Sequence, residues 1–83
     1  MSKHEATLDA IFTEPTLSNI PWKDIESLFA NHGATITKSG GSRVRVEING
    51  ELGCFHSPHP RKEACKGAVE SVREFLENAG IKP

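Results

Sequence analysis

The sequence has no tyrosine, one tryptophan, one methionine and only two cysteines in 83 residues. Two cysteines close at most one bridge, so a disulfide framework of the kind that holds small secreted domains is excluded. No apolar run approaches the roughly 18–20 residues that a membrane helix needs. Residues 1–15, "MSKHEATLDAIFTEP", interleave charges with apolar side chains and lack the uniform apolar centre of a signal peptide. The expectation is a cytoplasmic protein with no membrane partner. Internal repeats and low-complexity tracts are missing too, and 36% hydrophobic with 25% charged residues is the make-up of an ordinary globular chain. The length suffices for one small domain and not two.

A large excess of charge is also lacking, since the net charge is −1. That argues against a strongly nucleic-acid-binding chain, but the charge is unevenly spread. Residues 1–37 set Lys3 and Lys23 against Glu5, Asp9, Glu14, Asp24 and Glu26. Residues 38–66 set Lys38, Arg43, Arg45, Arg61, Lys62 and Lys66 against Glu47, Glu51 and Glu63. The middle of the chain is therefore basic and attracts phosphate locally, although ordinary surface charge gives the same count.

What is present is patterned. Residues 4–13 read as a short helix that Pro15 stops, followed by a linker to Pro21. Trp22, Ile25, Leu28 and Phe29 recur at helical spacing, with Asn19 as candidate N-cap and Gly33 as terminator. "ATITK" and "RVRVEI" alternate as strands. Asn49-Gly50 marks a two-residue hairpin turn, and "ELGCFHS" returns as a third strand. On that strand Leu52 and Cys54 are expected to join the Val44, Val46 and Ile48 face in the core. Ala68, Val69, Val72, Phe75, Leu76 and Ala79 form the stripe of a last helix, closed by Gly80. The fold class is thus α+β: an α-β-β-β-α two-layer sandwich with both helices on one sheet face. Residues 1–19 stand before it as an extension or short helix, and residues 20–83 form the domain.

Residues 50–67, "GELGCFHSPHPRKEACKG", gather the chemistry. Cys54, His56, His59 and Cys65 lack the paired short-spaced ligands of a closed zinc site, so neither a metal nor another cofactor is expected. A bridge between Cys54 and Cys65 does not suit a cytoplasmic chain. Cys65 lies near Lys62 and Lys66, but no third group is visible to orient a base for it, and it reads as a loop thiol. If the strands pair as above, His56 and His59 lie near Arg43, Arg45, Lys62 and Lys66. Histidine moves protons near neutral pH, and the cations hold phosphate. Together they suffice for metal-independent RNA cleavage through the internal 2′-hydroxyl. The plainer alternative is a rigid loop whose histidines bond neighbouring backbone.

The stretch "GGSRVRVEINGELGCFHSPHPRKEACKGAVESVREFLENAGI" resembles the HicA toxins of toxin–antitoxin pairs. The matching features are the turn at Gly41-Ser42, the Pro58-His59-Pro60 run, the charged loop ending at Lys66-Gly67, and the close at Asn78-Ala79-Gly80-Ile81. The resemblance covers roughly residues 20–81. It implies a fold similar to double-stranded RNA-binding domains, mRNA interferase activity on RNA (mRNA), and a HicB-like antitoxin partner. It implies a catalytic His directly after the Gly-Ser turn, where this chain has Arg43. Arginine cannot serve as a general base. His56 and His59 are then the candidate acid–base groups, with Arg43, Arg45, Lys62 and Lys66 as phosphate binders. The alternative is a non-catalytic RNA- or protein-binding module on the same fold.

Overall fold

Ser2 starts the first helix. Its hydroxyl accepts the Glu5 N–H at 3.1 Å, one half of a capping box, and α1 runs Lys3–Ile11. The computed structural model describes residues 2–58 and 62–83. α1 ends two residues short of the expected stop, and Leu8 and Ile11 are buried in the same core as the rest of the domain.

The end of the linker and residues 62–64 are more ordered than their composition implies. β1 (Ile20–Pro21) pairs antiparallel with β5 (Glu63–Ala64), and the Trp22 N–H donates to the Lys62 carbonyl at 2.9 Å. Two-residue strands carry no periodicity, so the pattern could not show them. This pairing also corrects the expected cap. Pro21 in extended conformation, rather than Asn19, is the N-cap of α2 (Trp22–Asn31), and the cap carries no side-chain hydrogen bond. The stripe Trp22, Ile25, Leu28 and Phe29 is buried as its spacing requires.

The sheet has the order β2 (Thr35–Ser39), β3 (Arg43–Ile48), β4 (Glu51–His56), antiparallel throughout. Asn49 and Gly50 both have positive φ, 52° and 84°, as a type I′ turn demands. That turn pairs Ile48 with Glu51, and therefore Val46 with Gly53 and Val44 with Phe55. Directly paired residues share a face. Gly53 and Phe55 thus face the helices, and Leu52, Cys54 and His56 face away. The expectation that Leu52 and Cys54 are core is overturned: Leu52 is 59% exposed and Cys54 is exposed. Gly53 gives Phe75 room against the sheet, since a Cβ there would stand 2.8 Å from the Phe75 ring.

α3 (Lys66–Asn78) buries Val69, Val72, Phe75 and Leu76 against the same sheet face that α2 covers. The result is the two-layer α+β sandwich. Phe55 is the aromatic hub between layers, with ring centroids 5.6 Å from Phe75, 5.9 Å from Phe29 and 6.1 Å from Trp22. At one end of α3, Asn49 Nδ2 donates to the Ala79 carbonyl at 2.9 Å, tying hairpin to helix. On its flank Arg73 reaches back to α1. Its Nε donates to the Ile11 carbonyl at 3.0 Å, and its other nitrogens to the Thr13 carbonyl, Thr16 Oγ1 and Glu14. The helix end that Pro15 follows is thus capped by a side chain from the opposite end of the sequence. Among the described residues no helix is long and apolar enough to cross a membrane.

Candidate functional site

With both helices on one face, the other face of the sheet is left open. The strand register orders it into three cross-strand rows: Ser39–Arg43–His56, Thr37–Arg45–Cys54, and Thr35–Glu47–Leu52. All nine residues are exposed. Neighbours within a row have Cβ atoms about 5 Å apart, and successive rows are separated by about 7 Å.

The first row places His56 directly across from Arg43, on adjacent strands and on one face. The end of this pairing is fixed by Ser57, whose N–H and Oγ both donate to the Ser42 carbonyl, at 2.8 and 3.2 Å. Those bonds carry the ladder one pair beyond His56 and hold the Gly41-Ser42 turn against the start of the following loop. The second row places Arg45 between Thr37 and Cys54. Among the described residues, no carboxylate lies within ion-pair distance of Arg43 or Arg45. The ion pairs join Lys3 to Asp24, Lys38 to Glu26 and Arg73 to Glu14 instead. Two arginines with no ion-pair partner among the described residues, sharing a face with a histidine and a line of hydroxyl residues, can grip phosphate and move a proton at it.

Lys62 and Lys66 are exposed but stand on other elements. Lys62 precedes β5, with its carbonyl held by Trp22, and Lys66 opens α3. The first turn of α3 has no acidic residue and its N-cap, Cys65, makes no side-chain capping bond. The positive end of that helix is therefore reinforced by Lys66 rather than neutralised. His59 lies outside the described residues. Cys54 and Cys65 are both exposed free thiols.

The structure thus brings Arg43, Arg45 and His56 together on the face where the alternation of β3 already sets Glu47, and it adds neighbours that strand alternation alone does not place there: Ser39, Thr37, Thr35, Leu52 and Cys54. The signal that finds them is the two-residue Asn49-Gly50 turn. It sets the pairing sum for the whole hairpin, and with it the side of every β4 residue.

Fold and face together define a small two-layer α+β domain that presents a basic, hydroxyl-lined sheet surface. Comparison with known families identifies it further. The family described as HicA toxin of bacterial toxin-antitoxin matches residues 22–81, and the chain belongs to that family. The match takes in the sheet, α2 and α3, while α1 precedes it. Comparisons with curated proteins and with solved structures returned no match.

Proposed function

We propose that this toxin acts on mRNA as a metal-independent endonuclease, in the cytoplasm, and that a HicB-type antitoxin holds it inactive. The observation that carries the reading is the cross-strand Arg43–His56 pair on the open face. In the family, a histidine is expected at the position that Arg43 occupies. An imidazole on the facing strand reaches the same patch from the other side of the ladder.

In the proposed reaction a base takes the proton of a ribose 2′-hydroxyl. The oxygen forms its bond to the adjacent phosphorus, the bond to the 5′-oxygen breaks, and an acid returns a proton to that oxygen. A 2′,3′-cyclic phosphate and a 5′-hydroxyl result. His56 is assigned one proton transfer and His59 the other. Arg43 and Arg45 hold the phosphate and stabilise the charge that develops on it. Lys62 and Lys66 grip the strand where it leaves the sheet.

The test is purified protein against RNA with chelator present, alongside His56→Ala and His59→Ala. The expected result is cleavage to cyclic-phosphate ends by the wild type and a loss of about 100-fold or more in each variant. RNA binding without cleavage by the wild type would instead make the domain a binding module.

A further inference from the structure

The three rows of the open face are not alike. Two carry an arginine, and the third, Thr35–Glu47–Leu52, carries a carboxylate and an exposed leucine. Resting on the reading that this face takes RNA, we infer that Thr35, Glu47 and Leu52 form a nucleobase subsite that selects a base bearing an exocyclic amino group, cytosine foremost.

Charge decides which part of the polynucleotide meets which row. Phosphates are drawn to Arg43 and Arg45, whose two-residue offset of about 7 Å suits neighbouring phosphates of one strand. Glu47 repels a third phosphate. A chain that continues along the face therefore turns an uncharged part, its base, toward the third row. Leu52, at 59% exposed, is the large hydrophobic side chain that the described surface presents to water. A base laid on it removes apolar area from solvent on both sides.

Glu47 then sorts the bases. It stands directly across from Leu52 and has no cation partner among the described residues. An ionised carboxylate only accepts hydrogen bonds. It accepts from the N4 amino group of cytosine and meets only a carbonyl oxygen at the same place on uracil. Thr35, on the other flank of Glu47, has a hydroxyl that donates or accepts and so serves the remaining edge of the base.

The experiment measures equilibrium binding, by fluorescence anisotropy, of short 2′-fluoro uridine oligomers with and without one cytosine to the full chain. The 2′-fluoro sugar cannot be cut through a 2′-hydroxyl. One cytosine is expected to tighten binding by about ten-fold. Glu47→Ala removes that gain without weakening all-uridine binding, which loses only a repulsion, while Leu52→Ser weakens both oligomers alike. Unchanged far-UV circular dichroism establishes that the variants fold. No cytosine gain in the wild type, or an equal shift of both oligomers in Glu47→Ala, overturns the subsite. Cytosine-selective binding by a protein that cuts no ordinary RNA upholds the subsite and removes the nuclease. If neither oligomer binds, and both substitutions instead weaken the antitoxin complex, the face is a protein interface and the subsite falls.

Discussion

Replacing Gly53 with alanine tests the register on which the whole open face depends. The added Cβ would stand 2.8 Å from Phe75 Cδ1 and 3.0 Å from Phe55 Cε2 and Cζ, where ordinary contact begins at 3.4 Å. Phe75 is only 7% exposed and Phe55 8%, and the two rings already meet edge to face at 5.6 Å. One ring must shift within a packed cluster, which costs about 1–3 kcal/mol. The stiffer unfolded chain of an alanine variant offsets about 0.4–1 kcal/mol of that. The net loss expected is about 1–2 kcal/mol. For a chain of this length that lowers Tm by about 6–12 °C. Thermal unfolding followed by circular dichroism and by the fluorescence of Trp22, which is 5% exposed, reads it directly. Leu52→Ser and Cys54→Ser are the controls and are expected to stay within about 0.5 kcal/mol of wild type. Phe75→Leu combined with Gly53→Ala should recover part of the loss, a coupling that a double-mutant cycle isolates. A neutral Gly53→Ala together with a Leu52→Ser loss of 2 kcal/mol or more (on the order of a buried leucine) would refute the register. It would put the opposite face of β4 in the core.

Arg73→Met keeps the aliphatic stem but loses the hydrogen bonds to Ile11, Thr13, Glu14 and Thr16. It is expected to destabilise by about 2 kcal/mol, with faster limited proteolysis between α1 and β1. Equal digestion rates and an unchanged Tm would show that α1 docks through Leu8 and Ile11 alone. Asn49→Ala forces a Cβ-bearing residue with no stabilising side chain into φ 52° and deletes the bond to Ala79, for about 1–2 kcal/mol in urea denaturation. Asn49→Gly should cost less, because only the bond is lost. Arg43→Ala and Arg45→Ala should each reduce the slope of log affinity for single-stranded RNA against log salt by about 0.7, and a slope unchanged in both would remove them from the phosphate contacts.

The helices were legible because their apolar stripes are long. Trp22, Ile25, Leu28 and Phe29 could satisfy water and core at once in only one conformation. The strand over 43–48 was legible for the same reason at period two, and its burial alternates as read. The strand over 51–56 misled because setting Leu52 opposite the Val44, Val46 and Ile48 face across the turn is one residue out of phase: the two-residue turn pairs Ile48 with Glu51 and Glu47 with Leu52. Leu52 is its most apolar aliphatic residue, yet the turn geometry turns it outward, and an aromatic ring with a glycine beside it fills the core instead. The β1–β5 pairing was invisible, being made of two short segments far apart in the chain. Of the candidate site, Arg43, Arg45 and His56 were named from their chemistry. Alternation alone sets Arg43, Arg45 and Glu47 on one face of β3, and the place of His56 and Leu52 across from them followed only from the register of the turn.

Local chemistry thus determined the helices α1, α2 and α3, the three-stranded sheet, the layering and the family. Period, caps and turn residues act over a few positions, and each position here has one cheap solution. Tertiary structure decided which face of β4 meets solvent, where α1 docks, and what stands beside His56. These are relations between segments that close loops of different length. They are settled by whether the four aromatic rings, the Gly53 gap and the Arg73 clasp can all be satisfied together, a condition that no single stretch of sequence states.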